Sequence, residues 1–444
     1  MTRLYTDEQL ADIARPFEDH ALEALERGDV ARVRELLAAM KSGPAGLDGL
    51  SGHTLSRKAG KMRQDLGEKQ AREELARLGA QLMRTWTQQY ERGDERGAIE
   101  DLIIVWREQP GATLSPLVED DEKVTLDMAL CGSGGKLDRA RLQEKHPDWY
   151  GNWSDGISSF CQICKACQNA LNDSLGTEVW RTDKGESGAC RMTFFKRASH
   201  GKELFSSGEG KNLVKTRVDR ALEKLERGET DIADLLKGQR KDWKPWHDFG
   251  LVMLEYFYGL ALEHGGADYL QQVLEQTYAP AFNAGFPRYA AMSDDELVRE
   301  IARTWNYHCA DFTLAEENDR FVFRLDPCGS GGRLYRGDMW RDMFQYGEPL
   351  SPIMREPHDI NFNRADAPSY CTHCAASNKA QLAGSLSPDT PLFFVIDGRR
   401  QARPGLPCAT FAYKKAADRT KIDPALFEQI GLAPPGATAK GSKA

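Results

Sequence analysis

Eight of the ten cysteines in this 444-residue chain fall into two sets with the same order. Each set has a Cys opening a glycine-rich turn, a Cys-x-x-Cys pair, and a last Cys leading an apolar segment. The sets are Cys131, Cys161, Cys164 and Cys190, then Cys328, Cys371, Cys374 and Cys408. Four thiolates from a turn, a helix start and a strand match the donors of a tetrahedral Zn²⁺ site or a 4Fe–4S cluster. Gly132-Ser133-Gly134-Gly135 and Gly329-Ser330-Gly331-Gly332 would let backbone N–H groups approach sulfur, which favours thiolate charge in either case. Ligand count makes zinc the first reading and the cluster the alternative. The turn lacks Walker spacing, which argues against a phosphate loop.

Zinc held by four thiolates has no open position for water, so catalysis would fall to other side chains. His247 and Asp248, next to Trp246, are candidate acid–base groups; at an offset of 200 they meet Leu47 and Asp48, so only the acid is shared. His358 before Cys371 parallels His146 before Cys161 and is a third candidate. Arg303 and His308 are candidate substrate-binding groups. His373, inside the second Cys-x-x-Cys, is placed to orient a thiolate. Against each stands a bland role: cap, packing residue or surface ion pair.

The elements that must position these groups recur. Residues 21–29 and 221–229 share seven of nine identities. Arg84-Thr85-Trp86 matches Arg303-Thr304-Trp305, which makes 91–116 a longer segment of the first copy and pairs Cys309 with Tyr90; Cys167 pairs with Ser377. Apolar spacing predicts helices over 7–40, 68–91, 217–237, 246–264 and 294–310. Strands are expected at Lys123–Met128 and Arg320–Leu325, helices at Cys164–Leu175 and Cys374–Leu382, and closing hairpins at 178–196 and 392–414. The fold class is α+β: two tandem homologous domains, each helical first and then a small antiparallel sheet carrying a four-cysteine metal site. The expected division is a first repeat at 1–200, a linker at 201–216, a second repeat at 217–420 with the catalytically active copy, and a tail at 421–444.

The Asp326-Pro327-Cys328-Gly329-Ser330-Gly331-Gly332-Arg333-Leu334 stretch, with the Cys-x-x-Cys and the last Cys, resembles the L-2-amino-thiazoline-4-carboxylic acid hydrolase family. The resemblance covers about the last 120 residues of each copy, and the first departs from it at Ala129-Leu130. It implies hydrolytic opening of a small cyclic amidine.

A net charge of −8 argues against a broad nucleic-acid surface. The Phe249–Leu262 stretch is too short to span a bilayer and carries Glu255, so it reads as a core helix. The polar, acidic start does not read as a secretory signal, and a cytoplasmic location is expected. The expected function is a metal-containing, hydrolase-like enzyme for a small polar substrate. The alternatives are an iron–sulfur protein with a redox partner protein, and a zinc-stapled interaction module.

Overall fold

The computed structural model describes residues 3–43, 45–340, 352–387, 389–398 and 408–436. Helix breaks follow local chemistry. α1 (Asp7–Ala14) opens on a Thr6/Gln9 capping box and stops ahead of Pro16; α2 (Phe17–Glu26) ends near Gly28, at φ 71°; α3 (Val30–Ser42) starts on the Asp29 side chain. The helix expected over 7–40 is therefore three. α4 (Ala45–Leu66), α5 (Glu68–Glu91) and α6 (Glu95–Arg107) follow. Next come β1 (Thr113–Leu114), β2 (Val118–Glu119), β3 (Lys123–Leu130), the short α7 (Gly134–Arg139), α8 (Leu142–Lys145) and α9 (Pro147–Tyr150), then α10 (Ser159–Leu175), β4 (Trp180–Lys184) and β5 (Cys190–Phe195).

The second passage begins with α11 (Ser207–Leu213), α12 (Arg217–Glu226) and α13 (Ala233–Thr277), the last kinked at Gly265 and Gly266. α14 (Ala279–Asn283), α15 (Phe286–Ala291) and α16 (Asp294–Tyr307) lead to β6 (Phe312–Glu316), β7 (Arg320–Leu325) and α17 (Gly331–Arg336). α18 (Thr372–Leu382), β8 (Val395–Asp397), β9 (Cys408–Tyr413) and α19 (Pro424–Glu428) complete it.

The α+β class holds, with two small antiparallel sheets ordered β1-β3-β5-β4, with β2 also on β3, and β6-β7-β9-β8. Their registers agree. Lys123↔Phe195 through Met128↔Cys190 in the first have Arg320↔Tyr413 through Leu325↔Cys408 as counterparts in the second. Each last-set cysteine thus starts the strand that lies beside the one entering the glycine turn.

Two compact units divide the chain, and each is described by itself. One comprises residues 17–253 with Met339 and Trp340; the other holds residues 3–16, 254–338 and the described residues from 352 on. The division differs from 1–200 and 217–420 because α12 and the start of α13 share a core with α2 and α3, through Leu36, Leu37, Val218, Leu225 and Leu236. Nor is 201–216 a linker. On β2, Glu119 pairs with Lys196 at 2.7 Å and accepts the N–H groups of Leu204 and Phe205, just ahead of the Ser206/Glu209 capping box of α11. In the other unit, Glu316 on β6 pairs with Lys414 at 2.6 Å and accepts the N–H groups of Leu4 and Tyr5, just ahead of the capping box of α1. Each sheet therefore clasps an arm by the same buried ion pair. The tail expected from 421 is also partly core, since Ile422, Leu426, Phe427 and Ile430 are buried.

The structure also re-registers the internal comparison. Trp106 on α6 packs against Trp180 at 6.2 Å, as Trp305 on α16 packs against Phe394 at 5.2 Å. Glu95 at the start of α6 accepts the Arg197 N–H, and Asp294 at the start of α16 accepts the Lys415 N–H. Trp106, not Trp86, makes the contact that Trp305 makes, so by these contacts α6 matches α16, and 91–116 is not a longer segment of the first copy.

Candidate thiolate centres

In both units the strand entering the turn delivers the first cysteine, and the turn folds back over the others. A Cβ built on Gly134 would lie 2.8 Å from Cys161 Sγ, and one on Gly331 would lie 3.2 Å from Cys371 Sγ. Gly135 is closed in by Gly188 O, 2.3 Å from its built Cβ, and Gly332 donates its N–H to Cys328 Sγ at 3.1 Å. Only glycine permits the first three approaches without displacement. α10 begins at Ser159, so Cys161 and Cys164 ride on its first turns; Cys371 closes a 3-10 turn at Ser369–Cys371, and Cys374 lies in the first turn of α18.

The thiols converge enough to feel one another's charge. Burial pushes the Cys161 thiol up to about 12, and Cys131 adds to the effect. Burial raises Cys190 to about 11, again with Cys131 contributing. Cys164 is held far above the ordinary thiol range by burial and by Cys167, Cys161, Cys190 and Cys131. Cys371 and Cys374 are raised by burial and by Cys328 and Cys408, and Cys374 also by Cys371. Buried thiols this close stay protonated unless a cation replaces the protons. No disulfide joins any of them. Among the described residues, no three His, Cys, Asp or Glu side chains are arranged to hold a metal ion as they stand. The four-cysteine metal sites expected from the sequence are therefore not shown: the thiols neighbour one another without ligation geometry.

The surroundings of the sets differ. Beside the first, Lys184 pairs with Asp138 at 2.7 Å and bears on Cys161 and Cys190. Beside the second, His373 Nε2 lies 3.5 Å from Cys374 Sγ while Nδ1 bonds the Tyr370 carbonyl. Tyr258 stacks on the His373 ring at 6.2 Å, and Tyr370 and Tyr278 meet it edge-on at 4.6 and 5.4 Å. Gln109 accepts from Cys131 Sγ at 3.5 Å, a partner that sequence comparison missed.

The other candidates are engaged locally. His247 Nδ1 lies 3.0 Å from Asp248 Oδ1, and Asp248 also binds Lys244 and accepts the Trp340 N–H at 2.7 Å. Burial opposes ionisation of Asp248, yet His247 and Lys244 hold its carboxyl below the ordinary range. His358 caps the turn at Asp359–Asn361, accepting the Ile360 N–H at Nδ1, while Nε2 meets Asp268 at 3.0 Å. Arg303 pairs with Glu300 on its own helix, which also binds Arg288. His308 follows α16 and lies 5.7 Å from Trp305. His247 and Asp248 belong to one unit, and Arg303, His308 and His358 to the other.

Amide side chains that sequence reasoning passed over fix helix to sheet. Asn172 on α10 accepts the N–H groups of Val179 and Trp180, and Gln168 accepts that of Thr182. On α18, Gln381 accepts those of Phe393 and Phe394, and Asn378 that of Ile396. These bonds cover part of one edge strand of each sheet, β4 and β8, which would otherwise lie open there. The signal was a polar residue on the helix face that also carries buried alanine and leucine.

Comparison with protein-family models, curated proteins and solved structures yields no match for this chain. No helix among the described residues is long and apolar enough to cross a membrane.

Proposed function

We propose that each sheet unit holds one metal ion through its four cysteines, zinc in the first reading, so that the chain is a duplicated metal–thiolate protein. The observation that carries this is the repeated construction: the same strand register, the same glycine turn folded onto the helix-borne cysteine, and the same mutual influence of the thiols, in units whose other neighbours differ. A closed set of four thiolates staples turn, helix and strand, and its binding energy adds to folding.

A 4Fe–4S cluster in each set, serving electron transfer with a redox partner protein, is the second reading. It is favoured by the Gly332 N–H aimed at Cys328 Sγ, since such bonds tune cluster potential. Hydrolysis of a cyclic amidine, which the motif resemblance implies, would need acid–base groups gathered at one site. The local partners of His247, Asp248, His358, Arg303 and His308 support structural roles for them instead.

Metal content of single variants tests the proposal. Cys161→Ser and Cys371→Ser should each lose the metal of one set and keep the other, while His247→Ala keeps both. Full metal content in both cysteine variants would overturn it.

A further inference from the structure

A cavity of about 270 Å³ opens within the unit of the first sheet, between α6, α11, α12 and α13. Four guanidinium groups line it, Arg96, Arg107, Arg217 and Arg220, with Phe205 and Ile104 as an apolar wall. Charge on its inner side is poorly balanced. Arg107, its side chain 4% exposed, bonds Asp242 and the Leu213 carbonyl, and Arg217 Nε lies 3.0 Å from the same Asp242 carboxylate. That Nε is buried, yet the contact lacks hydrogen-bond alignment. One carboxylate thus serves two arginines. Glu100 and Glu209 also line the cavity, on the side of Arg96; Glu108 touches Arg107 at 3.2 Å, but burial holds its carboxyl up to about 7, so it is only partly charged at neutral pH.

Arg220 is the least engaged of the four, facing Asp242 only at a distance. No ion pair or side-chain hydrogen bond engages it among the described residues, and burial together with Arg107 and Arg217 disfavours its charge. Three guanidinium groups on one carboxylate and a half-ionised acid are an arrangement that an incoming anion would stabilise. The cluster is also confined to one copy. Positions equivalent to Arg107, Arg217 and Arg220 carry Asn306, Phe17 and His20, so the shared architecture does not require it.

We propose that this cavity binds a phosphate-bearing small molecule, its oxyanion held by Arg217 and Arg220 and its organic body against Phe205 and Ile104. Planar guanidinium forks match phosphate oxygens in pairs, and a doubly charged group offsets the surplus that a single carboxylate would leave. Arg96 closes the outer side, tied to Glu209 and stacked over Phe205 at 5.0 Å.

Calorimetric titration of the full chain with inorganic phosphate, at constant ionic strength and neutral pH, tests the assignment. Phosphate should bind at one site and raise the melting temperature, while acetate and chloride do neither. Arg220→Gln should weaken binding at least about tenfold yet melt no lower than the parent without ligand, because it relieves repulsion. Arg181→Gln, an exposed control on β4, should bind as the parent does. No saturable phosphate binding overturns the proposal, as does equal binding of acetate or unchanged affinity in Arg220→Gln. Should Arg220→Gln fail to fold, Arg220→Lys keeps the charge without the fork, and undiminished affinity there would equally overturn it.

Discussion

Replacing Glu316 by Ala removes the acid that clasps the N-terminal arm. The side chains of Lys414 and Glu316 are 3% and 0% exposed, so the variant leaves an ammonium buried without its counter-charge. Removing one partner of such a pair costs about 3–5 kcal/mol. The Leu4 N–H adds little, because Leu4 is 50% exposed and water can replace the lost acceptor, whereas the N–H of Tyr5, a residue 8% exposed, adds about 1–3 kcal/mol if left unpaired. Releasing the arm instead would bare Leu10 and Ile13, which costs about 3–6 kcal/mol at about 1.5–3 each. The two routes are close in cost, so both lost stability and a loosened arm are expected. Urea unfolding followed by tryptophan fluorescence should show the loss, and faster hydrogen exchange at Leu10 and Ile13 should place it. Glu316→Gln combined with Lys414→Met should recover most of it, since the amide still accepts from the arm and no charge stays buried. A change below about 1 kcal/mol with unaltered exchange would refute the reasoning. The sign with pH is fixed as well. Burial opposes ionisation, but Lys414 and the two N–H groups hold Glu316 below its ordinary range, so its contribution is present above about 4.5 and fades only in stronger acid.

Two further outcomes follow from buried polar groups. Glu108 keeps its proton to about 7 in the folded chain but releases it near 4.5 when unfolded, so stability falls as pH rises between those values, by roughly 3 kcal/mol. Glu108→Gln should flatten that slope in melts at pH about 5 and 8; an unchanged slope refutes it. Gln381→Ala strands the N–H groups of Phe393 and Phe394 and should cost about 2–5 kcal/mol, with exchange rising at those two amides. Gln381→Glu keeps the acceptor but sets a buried carboxyl against the Ser377 and Phe394 carbonyls that Nε2 now serves, so it should cost at least as much.

The cysteine order and the local elements around it were legible in the sequence, and the way the chain is joined was not. Cysteine order, the β3 and β7 strands and the turns between them are local patterns, and local patterns survive translation into structure. Trp86 was matched to Trp305 because identical tripeptides outweigh register in amphipathic helices; only the contacts of Trp106 with Trp180 and of Trp305 with Phe394 decide it. The arm at 201–216 read as a linker for its polar composition, although Ser206 and Glu209 already spell a capping box. Likewise the spacing of Ile422, Leu426, Phe427 and Ile430 marks one apolar face in a stretch taken for tail. What no pattern could convey is that Glu119 and Glu316 each clasp an arm, because such pairing joins residues 85 and 312 positions apart in the chain.

Metal analysis of protein purified without oxygen tests the central claim most directly. The account predicts one metal-bound centre per cysteine set: zinc with no visible colour, or iron and sulfide with a broad absorption at about 400 nm. A folded, fully active-thiol chain that carries neither metal, and takes up none when zinc or iron and sulfide are supplied, would contradict it.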